Sequence, residues 1–214
     1  MGYLLDVDNT LLDNGAIVAD LRRSLRNTLG PEGERRYWEI FEALFQQPGY
    51  ADYLGAFNLY GAERPRDPRL FDVALQLLDY PFAERLYPGA LDVIAALRRR
   101  GPVALVSDGD VVYQPYKIRR SGLWEAVDGR VLVYVHKELM IDDIERRCPA
   151  RRYVMFDDKI FLLAAMKAIW KERVTTVFVR QGHYALDAAL VAASPPADLA
   201  IDSIGEAIEQ IERL

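Results

Sequence analysis

Short runs of hydrophobic residues recur along the chain, and segments with helical spacing separate most of them. Runs without polar alternation are typical of parallel strands that are buried on both faces of a sheet. These runs span residues 3–7, 103–107, 131–135, 153–156, 174–179 and, more weakly, 199–201. Because strands and helices alternate, the pattern predicts an α/β fold with a Rossmann-like, doubly wound parallel sheet.

Three of the separating segments have clear helical character, namely residues 90–100, 142–147 and 160–171. In the first of them, Leu91, Ile94 and Leu97 form a hydrophobic face. Gly101 follows at the place where a helix often ends on a residue with positive φ. We therefore expect Gly101 to adopt the left-handed conformation.

The connection between the first and second predicted strands is about 90 residues long, far beyond an ordinary loop. Its hydrophobic residues recur every fourth position, as in Ile17, Leu21, Leu25 and Leu29. Breaks are expected near Gly30-Pro31, Pro48-Gly49 and residues 65–68. The pattern predicts an inserted α-helical cap domain at residues 16–82, with the α/β core formed by residues 1–15 and 83–214.

Charge and composition narrow the classes of partner. The chain has 214 residues and a formal net charge of -5, which favours neither nucleic acid nor an anionic membrane as a partner. Cys148 is the single cysteine, so no intrachain disulfide can form. Neither a signal peptide nor a hydrophobic run of membrane-spanning length is recognisable, so a cytoplasmic location is expected. The oligomeric state is left open.

Acidic residues follow the first predicted strand. Asp6 and Asp8 are separated by Val7 alone, and in open α/β sheets ligands bind at the carboxyl ends of the strands. Two adjacent carboxylates repel each other, so a cation should hold them together, and Mg²⁺ prefers oxygen ligands of this kind. An ordinary strand end with two solvated aspartates is the alternative.

Polar residues also follow the next three strands, as Ser107-Asp108, His136-Lys137 and Asp157-Asp158. A hydroxyl and free N–H groups at a helix start form an anion site, and a lysine neutralises phosphate charge. Each pair also has a plain structural explanation, as a helix N-cap or a surface residue. All of them at successive strand ends indicate one common site.

Together these residues resemble the four-motif signature of the haloacid dehalogenase (HAD) superfamily. The motifs are Asp6-Val7-Asp8-Asn9-Thr10, Ser107, Lys137 and Asp157-Asp158. The resemblance covers nearly the whole chain, and the predicted insert is similar in position to the family's type-1 helical cap. It implies a Mg²⁺-dependent phosphatase that acts on a small phosphorylated metabolite, such as a sugar phosphate, a phosphoglycolate-like acid or a nucleotide.

The resemblance also implies catalytic roles. Asp6 would be the nucleophile and form an aspartyl-phosphate. Asp8 would be the general acid for the leaving group and then the base for water. Lys137 would screen the charge between Asp6 and the phosphoryl group. Lys117 competes for this role, but it is interpreted as a solvated residue inside a helix.

The remaining motif residues would bind phosphate and metal. Ser107 and Asp108, with the N–H groups that follow Ser107, would hold the phosphoryl oxygens together with Lys137. Asp6, Asp157 and the backbone carbonyl of Asp8 would bind Mg²⁺. Asp158 would be a direct or indirect ligand, and which of the two adjacent acids contacts the metal stays open.

Aromatic residues are frequent in the predicted cap, and we interpret most of them as packing within a helical bundle. Tyr50 and Tyr53 are the preferred candidates for substrate contact. His183, after the fifth strand, is interpreted as a surface-loop residue.

Three other functions remain open. A phosphomutase uses the same residues, and a metal-independent haloacid dehalogenase uses the same nucleophile, although those enzymes lack an acid at the position of Asp8. A non-catalytic binding module is the third, and the complete set of reactive groups argues against it.

Overall fold

The fold was determined as a computed structural model, which describes residues 1–46, 50–65 and 67–210. Its strands are β1 (Gly2–Leu5), β2 (Val103–Asp108), β3 (Val131–Tyr134), β4 (Tyr153–Asp157), β5 (Val174–Val179) and β6 (Leu199–Ile201). Within the described residues they form one parallel sheet in the order β3-β2-β1-β4-β5-β6. Every predicted strand is confirmed, with ends that differ by at most two residues.

The central strands β1, β2 and β4 are buried on both faces, which explains why their sequences lack polar alternation. β1 pairs with β2 on one side and with β4 on the other. The chain therefore builds one half of the sheet outward from β1, and then returns to build the other half. This reversal opens a crevice at the carboxyl ends of β1 and its neighbours, where doubly wound folds bind ligands.

Helices connect the successive strands, and a further one follows β6. They are α1 (Asn14–Phe45), α2 (Tyr53–Glu63), α3 (Arg69–Leu78), α4 (Ala90–Arg98), α5 (Tyr113–Arg120), α6 (Leu123–Ala126), α7 (Ile141–Arg147), α8 (Ile160–Trp170), α9 (Gly182–Leu186), α10 (Ala188–Ala192) and α11 (Ala207–Gln210). The helices predicted at residues 90–100, 142–147 and 160–171 correspond to α4, α7 and α8. Within the described ranges, no helix has both the length and the hydrophobicity that crossing a bilayer requires.

Helices α1, α2 and α3 lie between β1 and β2, and we refer to them as the helical insert. α1 is interrupted at Gly30, whose φ of 81° and ψ of 171° are not helical, and Pro31 follows it. This confirms the predicted break, whereas the break at Pro48-Gly49 lies outside the described residues. Leu25 of α1 belongs to the same hydrophobic cluster as Leu5 of the sheet, so packing is continuous between insert and sheet. The division into two domains stays a prediction.

The expectation for Gly101 is wrong. Gly101 does not have a positive φ. A Cβ at this position would lie 2.4 Å from the backbone oxygen of Met1. Glycine is therefore required here by the close approach of the N-terminal segment that leads into β1, and not by a left-handed helix end.

Candidate active site

Asp6 stands directly after β1, where its N–H still donates to the carbonyl oxygen of Phe156 in β4 at 2.9 Å. The Asp6 side chain is buried, with the whole residue 3% exposed. The Lys137 ammonium lies 2.5 Å from Oδ1 of Asp6 and 2.7 Å from Oδ2 of Asp157. Lys137 therefore forms ion pairs with an aspartate at the end of β1 and with one at the end of β4.

Lys137 is itself fully buried, 0% exposed, in a short 3-10 turn (Lys137–Leu139) that follows β3. Burial works to lower the pKa of its ammonium, but the carboxylates of Asp157 and Asp6 raise that pKa well above its usual value. The Lys137 N–H donates to Oδ1 of Asp108 at 3.0 Å, which fixes the turn against the end of β2. The lysine predicted to face the nucleophile is therefore charged and held in place.

Asp6, Asp157 and Asp158 form a buried acidic cluster, in which one oxygen of each residue lies within 4.8 Å of the others. Burial raises the pKa of Asp6 to about 7, and Lys137 opposes this shift. Burial together with the charges of Asp157 and Asp6 raises the pKa of Asp158 to about 9. Two lysines, Lys137 and Lys159, act on three buried carboxylates, so the cluster is short of one positive charge.

The two adjacent acids differ in what they contact. Asp157 accepts the N–H of Lys159 on Oδ1 at 2.8 Å, and its Oδ2 forms an ion pair with the Lys137 ammonium, although without the alignment of a hydrogen bond. Both oxygens of Asp158 are buried, and no donor among the described residues reaches either of them. Buried carboxylate oxygens without a donor are costly unless a cation binds them. The cluster therefore fits a hard divalent cation such as Mg²⁺, with Asp158 as the better-placed ligand.

Asp8 points to a different partner. Both of its carboxylate oxygens contact the ammonium of Lys117, at 2.6 and 2.7 Å. Lys117 is 1% exposed and also donates to Oδ1 of Asn14 at 3.3 Å. The interpretation of Lys117 as a solvated helix residue is therefore wrong. The face of α5 that carries Lys117 packs against the residues at the end of β1.

Gln114 connects Asp8 to the end of β2. Its Nε2 donates to Oγ of Ser107 at 2.9 Å and to Oδ2 of Asp8 at 3.2 Å. Gly109 makes room for this side chain, since a Cβ there would lie 2.7 Å from Cβ of Gln114. Ser107 and Asp8 are therefore held in one hydrogen-bonded unit.

The N–H groups after Ser107 are only partly available. Gly109 donates its N–H to the carbonyl oxygen of Tyr134 at 2.9 Å, so this group is not free for a phosphoryl oxygen.

The Asp108 side chain holds the Lys137 turn and lies 3.5 Å from the ammonium of Lys159. Burial and Lys137 work to lower the pKa of Lys159, but the surrounding acids, Asp6 first, raise it to about 12.

A cavity of about 620 Å³ opens beside these residues, between the carboxyl ends of the strands and the helical insert. Asp8, Asp108, Lys117 and Lys159 line it on the sheet side. On the other side it is lined by residues of the helical insert and of the segment before α2: Val18, Trp38, Phe41, Glu42, Phe45, Gln46, Tyr50, Ala51 and Tyr53. Cavities of this size hold small organic ligands.

Both aromatic residues that were preferred as substrate contacts, Tyr50 and Tyr53, line the cavity. His183 is exposed, as expected of a surface residue, but it lies in α9 and not in a loop, and it also lines the cavity. Gly182 before it has a φ of 70° and lies against Asn9, where a Cβ would be 2.3 Å from Cβ of that residue. This contact places His183 next to the loop after β1.

The structure brings the predicted site residues together as two neighbouring groups. Asp6, Lys137, Asp157 and Asp158 form the buried group, and Asp8 and Ser107 form the second through Gln114. The sequence interpretation considered Lys117 but treated it as solvated, and it assigned no role to Asn14 or Lys159. The spacing of Gln114 and Lys117, three residues apart on α5, was the available signal that both face the same side.

The chain is similar to known proteins in sequence and in fold. A family model described as haloacid dehalogenase-like hydrolase matches residues 1–169. A haloacid dehalogenase-like hydrolase from Burkholderia xenovorans LB400, known from its crystal structure, is 53% identical, with a TM-score of 0.93 over 99% of this chain and 96% of that one. No curated protein matches the chain in sequence.

More distant structures share the fold. The L-2-haloacid dehalogenase of Xanthobacter autotrophicus is 16% identical, with a TM-score of 0.62 over 99% of this chain and 98% of that one. A HAD phosphatase from Thermococcus onnurineus is 17% identical, with a TM-score of 0.67 over 98% and 97%. The family match and the close relative together show that this chain belongs to the haloacid dehalogenase-like hydrolases.

Proposed function

We propose that this hydrolase is a Mg²⁺-dependent phosphatase that cleaves a small phosphate monoester through an aspartyl-phosphate on Asp6. The observation that carries the proposal is the buried acidic cluster, in which the Asp158 oxygens have no donor. Displacement of a halide by a carboxylate needs no metal. A cluster that is short of positive charge therefore supports phosphoryl transfer, where charge neutralisation is the main task of the site.

The side chains of Asp6 and Asp158, with the backbone carbonyl of Asp8, are the proposed Mg²⁺ ligands. Asp157 is assigned a supporting role, because Oδ2 pairs with Lys137 and Oδ1 accepts the N–H of Lys159. When bound, the ion would neutralise charge on the transferring phosphoryl group. It would also favour the ionised form of Asp6, which the nucleophile requires.

The proposed reaction has two steps. A carboxylate oxygen of Asp6 attacks phosphorus, the bond to the ester oxygen breaks, and Asp8 gives its proton to that oxygen as the alcohol leaves. Water then attacks the aspartyl-phosphate, Asp8 takes a proton from it, and inorganic phosphate leaves with Asp6 restored. Asp8 is suited to both proton transfers because it lines the cavity where the leaving group must lie.

Phosphate binding is assigned to the residues around Asp6. Lys137 faces the nucleophile and stays charged, so it screens the repulsion between the Asp6 carboxylate and the phosphoryl oxygens. The Ser107 hydroxyl, oriented by Gln114, supplies a hydrogen bond to the phosphate. Asp108 holds Lys137 in place by accepting its backbone N–H.

A panel of phosphate monoesters with Mg²⁺ tests the proposal by the release of inorganic phosphate. Turnover should need the metal and disappear in Asp6→Asn. The matched control Asp92→Asn changes an exposed aspartate of α4 and should retain activity. Full activity in Asp6→Asn would overturn the nucleophile assignment, and an isomeric ester in place of inorganic phosphate would indicate a phosphomutase.

A further inference from the structure

The cavity leaves much more room than a phosphate group needs. A water molecule takes about 30 Å³ in the liquid, so a cavity of about 620 Å³ admits an alcohol portion of substantial size next to the phosphate. The side of the cavity that the helical insert and the segment before α2 form is called the far wall here, and its chemistry indicates which alcohol fits.

Aromatic rings dominate that far wall. Phe41 of α1 lies between two other lining rings, at 5.0 Å from Trp38 and 4.8 Å from Tyr53, measured between ring centroids. Tyr53 in turn packs against Tyr113 at 5.5 Å. Rings at these separations hold each other in place, so the wall is formed before any ligand binds. Phe45, one helical turn further along α1, is 37% exposed and extends the wall toward the entrance.

Both of the described lysines that line the cavity already contact other residues of the protein. Lys117 contacts both oxygens of Asp8 and also Asn14, and Lys159 lies between Asp108 and the ring of Tyr184. His136 lies 3.9 Å from a carboxylate oxygen of Glu138.

Burial and the charge of Lys159 lower the pKa of His183, so this ring is neutral near pH 7. Of the described residues that line the cavity, none is an arginine.

Negative charge, in contrast, is present on the far wall. Glu42 of α1 is exposed and lines the cavity beside Phe41 and Phe45. A second anionic group on the substrate would therefore meet a carboxylate and no available cation. A ring would meet aromatic partners, and an N–H or cationic group on it would be favoured by Glu42.

We propose that the substrate is a phosphate monoester whose alcohol carries an aromatic ring and no second anionic group, and that Phe41, Phe45 and Glu42 select it. This inference rests on the proposed phosphatase function. It excludes bisphosphates and phosphorylated hydroxy acids as preferred substrates.

Three primary alkyl phosphates of similar intrinsic reactivity test the selection. They are phenethyl phosphate, butyl phosphate and the phosphate ester of 4-hydroxybutyrate. The kcat/KM for the phenethyl ester should exceed that for the butyl ester by roughly tenfold, as aromatic contact and added burial predict. The carboxylate-bearing ester should be the poorest. Equal rates, or a preference for the carboxylate, would overturn the inference.

Two variants assign the effect to the wall. Phe45→Ala should bring the ratio between the phenethyl and butyl esters toward one, mainly through KM. Phe71→Ala is the matched control, because Phe71 is 66% exposed on α3 and does not line the cavity. Glu42→Lys should raise kcat/KM for the carboxylate-bearing ester. An unchanged ratio in Phe45→Ala and an unchanged order in Glu42→Lys would each contradict the assigned role.

Failure of the proposed phosphatase function can be distinguished from failure of the substrate inference. Acetyl phosphate has no alcohol portion to be selected, so its hydrolysis with Mg²⁺ reports on the core chemistry alone. If it is hydrolysed and the three esters are not distinguished, the substrate inference fails and the phosphatase function stands. If no ester is hydrolysed, calorimetric measurement of ligand binding still tests the substrate inference. The wild-type protein should bind phenethylphosphonate roughly tenfold more tightly than butylphosphonate, and equal binding would overturn the inference.

Discussion

The ammonium of Lys117 lies 2.6 and 2.7 Å from the two carboxylate oxygens of Asp8, although 109 positions separate these residues in the sequence. Lys117 is buried in α5, and its further bond to Asn14 fixes the ammonium from a second side. The orientation of Asp8 in the cavity is thus set by a helix that follows β2. Lys117 is therefore a positioning residue for the proposed general acid.

Replacing Lys117 by methionine should lower kcat by about 10²-fold, because Asp8 loses the contact that orients it toward the leaving group. KM should change little, since Lys117 is engaged by Asp8 and not by substrate. Hydrolysis of p-nitrophenyl phosphate should be impaired less than that of butyl phosphate, because a good leaving group needs less help from an acid. Steady-state kinetics on both esters measures this difference.

The matched control is Lys167→Met. Lys167 also pairs with an aspartate, Asp198, at 2.8 Å, but at the surface and away from the cavity. It should leave both rates unchanged. Equal losses on the two esters in Lys117→Met would indicate general damage to the fold and contradict the positioning role.

Asp158→Asn should weaken Mg²⁺ binding more than Asp157→Asn does. The Asp158 oxygens have no donor among the described residues, whereas Asp157 is held by Lys137 and by the N–H of Lys159. Calorimetric titration with Mg²⁺ at pH 8 compares the two variants with the wild type. A larger loss in Asp157→Asn would reverse the proposed assignment of the ligands.

The positions of these acids were predictable because each follows a hydrophobic run that forms a strand. Asp6, Ser107, Lys137 and Asp157 come together because parallel strands end at the same edge of the sheet. Lys117 was not predictable in this way, because its burial depends on how α5 packs against the loop after β1. A lysine inside a polar helix sequence looks the same whether that face is solvated or covered.

The helical insert shows a second limit of prediction from the sequence. Most aromatic residues of the predicted cap were interpreted as packing, and Tyr50 and Tyr53 as substrate contacts. Trp38 and Phe41 do pack against each other, but they also line the cavity. The two interpretations were treated as alternatives, whereas rings on α1 contribute one side to the bundle and another to the cavity. Gly101 shows a third limit, since a glycine required by close backbone approach cannot be distinguished in sequence from one required by positive φ.

Without metal, the protein should lose thermal stability as the pH rises from 7 to 9. The folded protein keeps a proton on Asp158 up to about pH 9 and on Asp6 up to about pH 7, whereas carboxyl groups of the unfolded chain lose theirs near the usual value of 3.8. The folded state then binds more protons than the unfolded state, so raising the pH favours unfolding. Differential scanning fluorimetry in EDTA measures the fall in Tm.

Added Mg²⁺ should raise the Tm, and more at pH 9 than at pH 7, because metal binding requires ionised carboxylates. Asp158→Asn should flatten the pH dependence of the metal-free protein, since the side chain no longer titrates. A Tm that rises between pH 7 and 9 in EDTA would contradict the shifted pKa values of the cluster.

The protein should release no chloride from chloropropionate or other short haloacids, with Mg²⁺ or with EDTA. A haloacid carries a carboxylate close to its reacting carbon, and in this site it would meet Asp8 and Asp108 on the cavity lining, with no arginine among the described lining residues to bind it. Asp8 also has no task when the leaving group is a halide, which needs no proton. Chloride release in EDTA, measured over hours at high protein concentration and compared with Asp6→Asn, checks this expectation. Release that requires Asp6 and persists without metal would overturn the phosphatase proposal.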